Sequence, residues 1–205
     1  MKPDSLILLI LDLDETLVHA TEEPLGRPHD FVVGPYSVYR RPHLDEFLAA
    51  CSLRFRLAVW STASDDYVRA VIGRIMPPGI DLAFAWGRSR CVRRYDHEAF
   101  EEEFLKDLKK VRKLGYDLRR VLIADDTPRK VRRQYGNAVY VPPFLGDPDD
   151  EALPRLARYL MSLGDVANVR TLEKRGWSRF MDEDGSSGAC QSADRDCNAG
   201  VRHEP

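Results

Sequence analysis

Two apolar runs in this chain end abruptly in paired carboxylates. Leu6-Ile7-Leu8-Leu9-Ile10-Leu11 runs into Asp12 and Asp14, and Val121-Leu122-Ile123-Ala124 runs into Asp125-Asp126. On an extended segment, side chains at i and i+2 point the same way, so Asp12 and Asp14 can share one small volume. Carboxylates so close are unfavourable unless a cation lies between them or one stays protonated. At an effective dielectric near 20, two unit charges ~4 Å apart repel by about 4 kcal/mol. A dication cancels that repulsion, and oxygen-only ligands favour a hard ion, Mg2+ above all.

A third strand end supplies Ser61-Thr62. A hydroxyl such as Thr62 and an ammonium such as Lys106 would hold the oxygens of a bound phosphoryl group. An aspartate against that group can attack phosphorus and form an acyl-phosphate. A second aspartate can protonate the leaving oxygen, then take a proton from the water that cleaves the intermediate. Phosphoryl transfer asks for little beyond such positioning and charge neutralisation.

The elements that must position these residues alternate between strand and helix character, which predicts an α/β fold with a mostly parallel sheet and helices on both faces. Leu6–Leu11 reads as a strand buried on both sides, too short to cross a membrane. Phe31 to Arg40, broken by Gly34-Pro35, predicts a small hairpin. Pro42 opens a helix carrying Leu44, Phe47, Leu48 and Cys51 inward. Residues 57–60 read as a strand, followed by a helix capped by Ser64 with Val68, Val71, Ile72 and Ile75 inward. A further strand is expected at 84–86. Phe100, Phe104, Leu108 and Val111 fall on one stripe, which predicts a charged helix ending near Gly115. Strands are expected at 121–124 and 138–141, and a last helix at 151–163. In such a sheet, ligands bind beyond the carboxyl ends of the strands, where all these polar residues fall.

With 205 residues the chain is long enough for one domain, expected over 1–180, and 181–205 reads as a disordered tail with almost no apolar residues. Net charge is −2, so no overall basic field draws it to nucleic acid or an anionic membrane. Arginines do cluster at Arg88, Arg90, Arg93 and Arg94 and at Arg129, Arg132 and Arg133, read as solvated faces. No signal peptide or membrane span is expected, and the four cysteines show no CxxC spacing; Cys51, Cys91, Cys190 and Cys197 read as reduced thiols of a cytoplasmic monomer. Of the histidines, His19 reads as a structural hydrogen-bonder at a helix or loop start, His43 as solvent-facing, and His97 carries no ligand spacing.

Asp12-Leu13-Asp14-Glu15-Thr16-Leu17 resembles the DxDx(T/V) signature of haloacid-dehalogenase-like phosphatases. The resemblance is closer to the branch acting on the C-terminal domain of RNA polymerase II. It is carried by DLDETLVH at Asp12 to His19, RPHLDEFL at Arg41 to Leu48, STAS at Ser61 to Ser64, KDL at Lys106 to Leu108, ADDTP at Ala124 to Pro128, and Asn137 to Phe144. These blocks run in order over about residues 5 to 165.

The resemblance implies a magnesium-dependent phosphatase, with Asp12 as nucleophile, Asp14 as general acid and base, and Thr62 and Lys106 as phosphate ligands. It implies Asp12, Asp14, Asp125 and Asp126 around the ion, with Asp126 favoured over Asp125 as the direct ligand and Asp14 contributing its backbone carbonyl. Arg88 is a further phosphate contact by its place near an arginine of those enzymes. The substrate implied is phosphoserine or phosphothreonine in a protein or peptide. The segment before RPHLDEFL is shortened, residues 96–104 read as an inserted acidic helical start, and no large cap fits these lengths. The open site so implied leaves two rivals: a small-molecule phosphate ester as substrate, or a non-catalytic phosphopeptide-binding module of the same fold.

Overall fold

A computed structural model describes residues 6–96 and 100–178. Its elements, in chain order, begin with strands β1 (Ile7–Leu11), β2 (Val18–Thr21), β3 (Phe31–Val33) and β4 (Tyr36–Arg40). Helix α1 (Leu44–Arg54), strand β5 (Phe55–Trp60), helix α2 (Asp65–Ile75) and strand β6 (Ala85–Trp86) follow. Then come β7 (Val92–Asp96), β8 (Glu101–Leu105), α3 (Lys109–Lys113), β9 (Val121–Asp125), β10 (Ala138–Tyr140) and α4 (Ala152–Leu163). The tail from residue 181, with Cys190 and Cys197, and His97 lie outside the described residues.

One five-stranded sheet, ordered β10-β9-β1-β5-β6, forms the centre, and every pairing in it is parallel. All of β1 is buried, as its unbroken apolar run requires of a strand covered on both faces. Its odd residues Ile7, Leu9 and Leu11 join α1, α2 and α4 in one core. Leu8 and Ile10 face the other side, with Leu108, Val111 and Trp86. This two-residue alternation divides the protein into its two covering layers. The helix predicted after Pro42 buries Leu44, Phe47, Leu48 and Cys51 as expected. Ser64 caps α2 by accepting a hydrogen bond from the Tyr67 N–H at 3.3 Å.

The hairpin expected at 31–40 forms as β3–β4, and β2 adds a third, antiparallel strand. His19 therefore stands on a strand rather than at a helix or loop start, with Nδ1 2.9 Å from Glu15 Oε1.

The helix predicted from Phe100 is not there. Glu101–Leu105 is instead the second strand of an antiparallel hairpin with β7, and only Lys109–Lys113 is helical. A spacing of i, i+4, i+8 is also met by same-face positions of a strand, so the stripe could not separate the two. Cross-strand charge favours the hairpin: Arg93 pairs with Glu102, and Arg94 lies opposite Glu103. Asp96 and the acidic residues Glu101, Glu102 and Glu103 thus stand on the strands of a β-hairpin.

Candidate active site

At the carboxyl end of β1 the chain leaves the sheet and turns tightly. The N–H groups of Thr16, Leu17 and Val18 all donate to the Leu13 carbonyl, at 3.2, 2.8 and 3.1 Å. Glu15 takes the left-handed conformation, φ 62°, which is strained for a residue with a Cβ. A buried guanidinium fixes this turn from behind: Arg41 donates to the Thr16 carbonyl at 3.0 Å and the Pro142 carbonyl at 2.9 Å. Its remaining donors grip both oxygens of Asp150, at 2.7 and 2.8 Å. The arginine of the RPHLDEFL block is thus a brace for the loop that follows Asp12.

Asp12 lies at the bottom of the site, 1% exposed. Oδ1 accepts the Leu13 N–H at 2.8 Å and lies 2.9 Å from Lys106 Nζ, while Oδ2 accepts from Lys130 Nζ at 3.1 Å. Lys106, wholly enclosed, also donates to Asp125 Oδ2 at 2.6 Å. Burial opposes ionisation of Asp12, but the two ammonium groups overcome it and hold the carboxyl below its usual range. Burial likewise opposes charge on Lys106 and Lys130, and the surrounding carboxylates, Asp12 first, keep both ammonium groups above theirs.

Asp14 has a different environment. Its Oδ1 accepts from the Tyr67 hydroxyl at 2.6 Å and its Oδ2 from Ser61 Oγ at 3.2 Å. Burial raises the Asp14 carboxyl and the Asp12 charge adds to that; the hydroxyls offset only part. Its side chain stands apart from the group made by Asp12, Asp125 and Asp126, whose ligand atoms all lie within 4.8 Å of one another.

The second acidic pair divides its labour. Asp125 is enclosed between Lys106 and the Thr127 N–H, which donates to Oδ1 at 2.9 Å, and burial pushes its carboxyl up to about 6. Asp126 accepts from Thr127 Oγ1 at 2.8 Å through Oδ2. Its buried Oδ1 has no hydrogen-bond partner, the nearest cation being Lys130 at 3.5 Å. An orphaned buried carboxylate oxygen beside two further carboxylates fits a hard divalent cation.

Thr62, Arg88, Thr127, Arg129 and Lys130 line a cleft with the β8 hairpin strand. A second hollow of about 370 Å³ adjoins it, lined by Asp14, Ala20, Tyr36, Ala63, Ser64, Tyr67 and Arg88. Arg88 stands where the two meet, its Nε donating to the Thr62 carbonyl at 2.8 Å and its guanidinium over the Phe104 ring. Gly87 before it is required by close approach, since a Cβ would fall 2.9 Å from the Asp65 backbone.

Asp12, Lys106, Asp125 and Asp126 thus converge as the sequence predicts, with Thr62 and Arg88 at the rim. Ser61 stands at the strand end where the sequence places it, whereas Lys130, Tyr67 and Arg41 were not foreseen in these places. Lys130 stands four residues after Asp126, the one local signal that could have singled it out. The bond from Tyr67 to Asp14 joins chain segments far apart in sequence and left no pattern to read.

A parallel α/β sheet with two acidic strand ends side by side, flanked by lysines, is the arrangement of the haloacid-dehalogenase-like class. The solved structure titled "The Structure of Fcp1, an essential RNA polymerase II CTD phosphatase" shares this fold, with a TM-score of 0.59 at 18% identity, covering 89% of this chain and 66% of that one. The family described as NLI interacting factor-like phosphatase matches residues 7–170, and the chain belongs to it. CTD small phosphatase-like protein 2 of Dictyostelium discoideum is 33% identical over 171 residues, 80% of this chain but 28% of that protein. The CTD nuclear envelope phosphatase 1 homolog of Caenorhabditis elegans is 30% identical over 186 residues, 82% of this chain and 71% of that protein. These names lend no support to the cytoplasmic placement expected from the sequence. Among the described residues no helix is long and apolar enough to cross a membrane.

Proposed function

We propose that the chain is a magnesium-dependent phosphatase that hydrolyses a phosphate monoester on serine or threonine of a protein through a phosphoaspartate on Asp12. One observation carries this reading: neighbouring carboxylates lie in environments that push their proton affinities apart. Asp12 is held ionised by Lys106 and Lys130, while burial favours the proton on Asp14. Such a divergence assigns a nucleophile and an acid.

An oxygen of Asp12 attacks phosphorus, and the bond from phosphorus to the serine or threonine oxygen breaks. The Asp14 carboxyl gives its proton to that leaving oxygen. The resulting Asp14 carboxylate then takes a proton from a water whose oxygen attacks the acyl-phosphate, freeing phosphate and restoring Asp12. Tyr67 and Ser61 hold Asp14 in place for both transfers. Thr62 and Arg88 receive the phosphoryl oxygens from the rim, and Lys106 keeps the nucleophile charged and oriented. Magnesium, held by Asp12, by Asp126 through its free oxygen and by Asp125 close by, would neutralise charge on the phosphoryl group. With the Asp14 side chain engaged in proton transfer, its backbone carbonyl would be the part of that residue to hold the ion.

The open approach suits a phosphorylated side chain on a macromolecule, and the relatives' names point the same way. Phosphate release should be measured from phosphoserine and phosphothreonine peptides and from small phosphate esters, with magnesium and with chelator. Turnover of peptides only with magnesium supports the proposal. Turnover confined to small esters would reassign the substrate, and phosphopeptide binding without turnover would make the chain a binding module.

A further inference from the structure

The carboxylate cluster is not empty of cations, and the way it is filled differs from oxygen to oxygen. Asp12 Oδ1 is committed to Lys106 and the Leu13 N–H, Asp125 to Lys106 and the Thr127 N–H, and Asp126 Oδ2 to the Thr127 hydroxyl. The two least committed oxygens are Asp12 Oδ2 and Asp126 Oδ1, and both face Lys130 Nζ, at 3.1 and 3.5 Å. One ammonium therefore stands before the two oxygens best placed for a metal ion.

The two lysines also differ in freedom. Lys106 is 0% exposed and clamped between two aspartates, whereas the Lys130 side chain is 22% exposed and opens on the cleft with Thr62 and Arg88. The Lys130 backbone is fixed, its N–H donating to the Thr127 carbonyl at 3.0 Å and its own carbonyl accepting from the Lys106 N–H at 2.9 Å. Movement is left to the flexible four-carbon stem.

We propose that Lys130 is a tethered counter-ion in the seat of the dication, which magnesium displaces and whose ammonium then turns into the cleft where the phosphate enters. The inference rests on the magnesium dependence proposed above. A single charge balances the two oxygens only in part, so a dication takes the seat, but in competition with the lysine. The metal-free cluster is thereby kept folded, and metal binding brings a positive charge to the substrate side.

Magnesium alone is titrated calorimetrically into chelator-stripped protein. A unit charge at ion-pair distance weighs heavily where water is scarce, so Lys130→Met should bind magnesium about tenfold or more tightly than the parent. Lys130→Gln should follow it. Arg129→Gln, which removes an equal charge paired with Glu103 outside the seat, should stay within about twofold, because exposed charges are screened. Unchanged or weaker binding in both Lys130 variants, or equal tightening in Arg129→Gln, overturns the proposal. A parent that binds no magnesium overturns the metal reading as well, so the two failures are distinct.

Unsubstituted protein gives an answer should the variants not fold. Acylation by acetic anhydride, read residue by residue by mass spectrometry, should rise several-fold at Lys130 when magnesium is added, with Lys109 and Lys113 constant. Labelling of Lys130 indifferent to magnesium overturns the inference.

Discussion

Arg41 and Lys106 both carry wholly enclosed positive charges, and they do opposite work. Arg41 meets one carboxylate and two backbone carbonyls, and the Asp150 oxygens it grips are both engaged. Burial alone would raise Asp150, but its bonds to Arg41 hold the carboxyl below its usual range. Lys106 lies between Asp12 and Asp125 in a cluster where Asp126 keeps an oxygen without a hydrogen bond, with the part-exposed Lys130 ammonium 3.5 Å from it. The satisfied pair is a brace; the incompletely satisfied cluster is where something further can bind. A buried ion pair costs desolvation in either setting, so the number of orphaned atoms, and not burial, separates structure from function.

The sharpest way to test this contrast is Asp12→Asn. It should lower turnover by a factor on the order of 10⁴ or more, as loss of a nucleophile does, while circular dichroism still shows the parent's fold. Retained magnesium-dependent activity within about tenfold of the parent would show that Asp12 is not the nucleophile.

Asp14→Asn should cost about 10² to 10⁴ in rate on phosphopeptides, the usual worth of a proton transfer, and much less on nitrophenyl phosphate, whose leaving group needs no proton. An equal loss on both substrates would remove Asp14 from that role.

On the other side of the comparison, Arg41→Met should cost about 3 to 5 kcal/mol of stability by stranding Asp150 and freeing the loop after Asp12. Denaturant unfolding reads it. A cost below about 1 kcal/mol, the level of a surface pair, would mean the brace is dispensable.

Asp126→Ala should raise the magnesium concentration needed for half-maximal activity and shrink the thermal stabilisation by magnesium, which for the parent is about 2.7 kcal/mol at one hundred times Kd. In chelator it should be no less stable than the parent, since it removes a buried charge without a full complement of partners. If Asp125→Ala loses magnesium dependence and Asp126→Ala keeps it, the direct ligand is Asp125.

The smallest effect is one of pH. Burial raises Asp125 in the folded state from 3.8 to about 6, so the folded chain binds its proton more tightly than the unfolded one. The stability this contributes is fully present below the unfolded value and is lost as pH rises through the folded one. In chelator, Asp125→Asn should therefore gain on the parent by about 1 kcal/mol per pH unit between pH 4 and 6. A flat difference across that window would show that Lys106 holds Asp125 ionised throughout.

The sequence by itself determined the sheet and the acidic strand ends. Strand β1 is uniformly apolar and α1 keeps a helical stripe, and both patterns are local, so they could be read before any contact was known. The convergence of Asp12 with Asp125 and Asp126 followed from one topological rule, that parallel strands deliver their carboxyl ends to one edge. Only the tertiary structure decided the rest. The stripe from Phe100 to Val111 satisfied helix and strand alike, and cross-strand pairing of arginines with glutamates settled it as a hairpin. In sequence Arg41 is only the first residue of the RPHLDEFL block, and burial against Asp150 made it a brace. Tyr67 gained its bond to Asp14 through the packing of α2 on the sheet edge. Lys130 sits among the clustered Arg129, Arg132 and Arg133, and the fold placed it against two carboxylates from different strand ends. Charge on a side chain is a property of sequence; the partners that fix its protonation and freedom come from segments a hundred residues away.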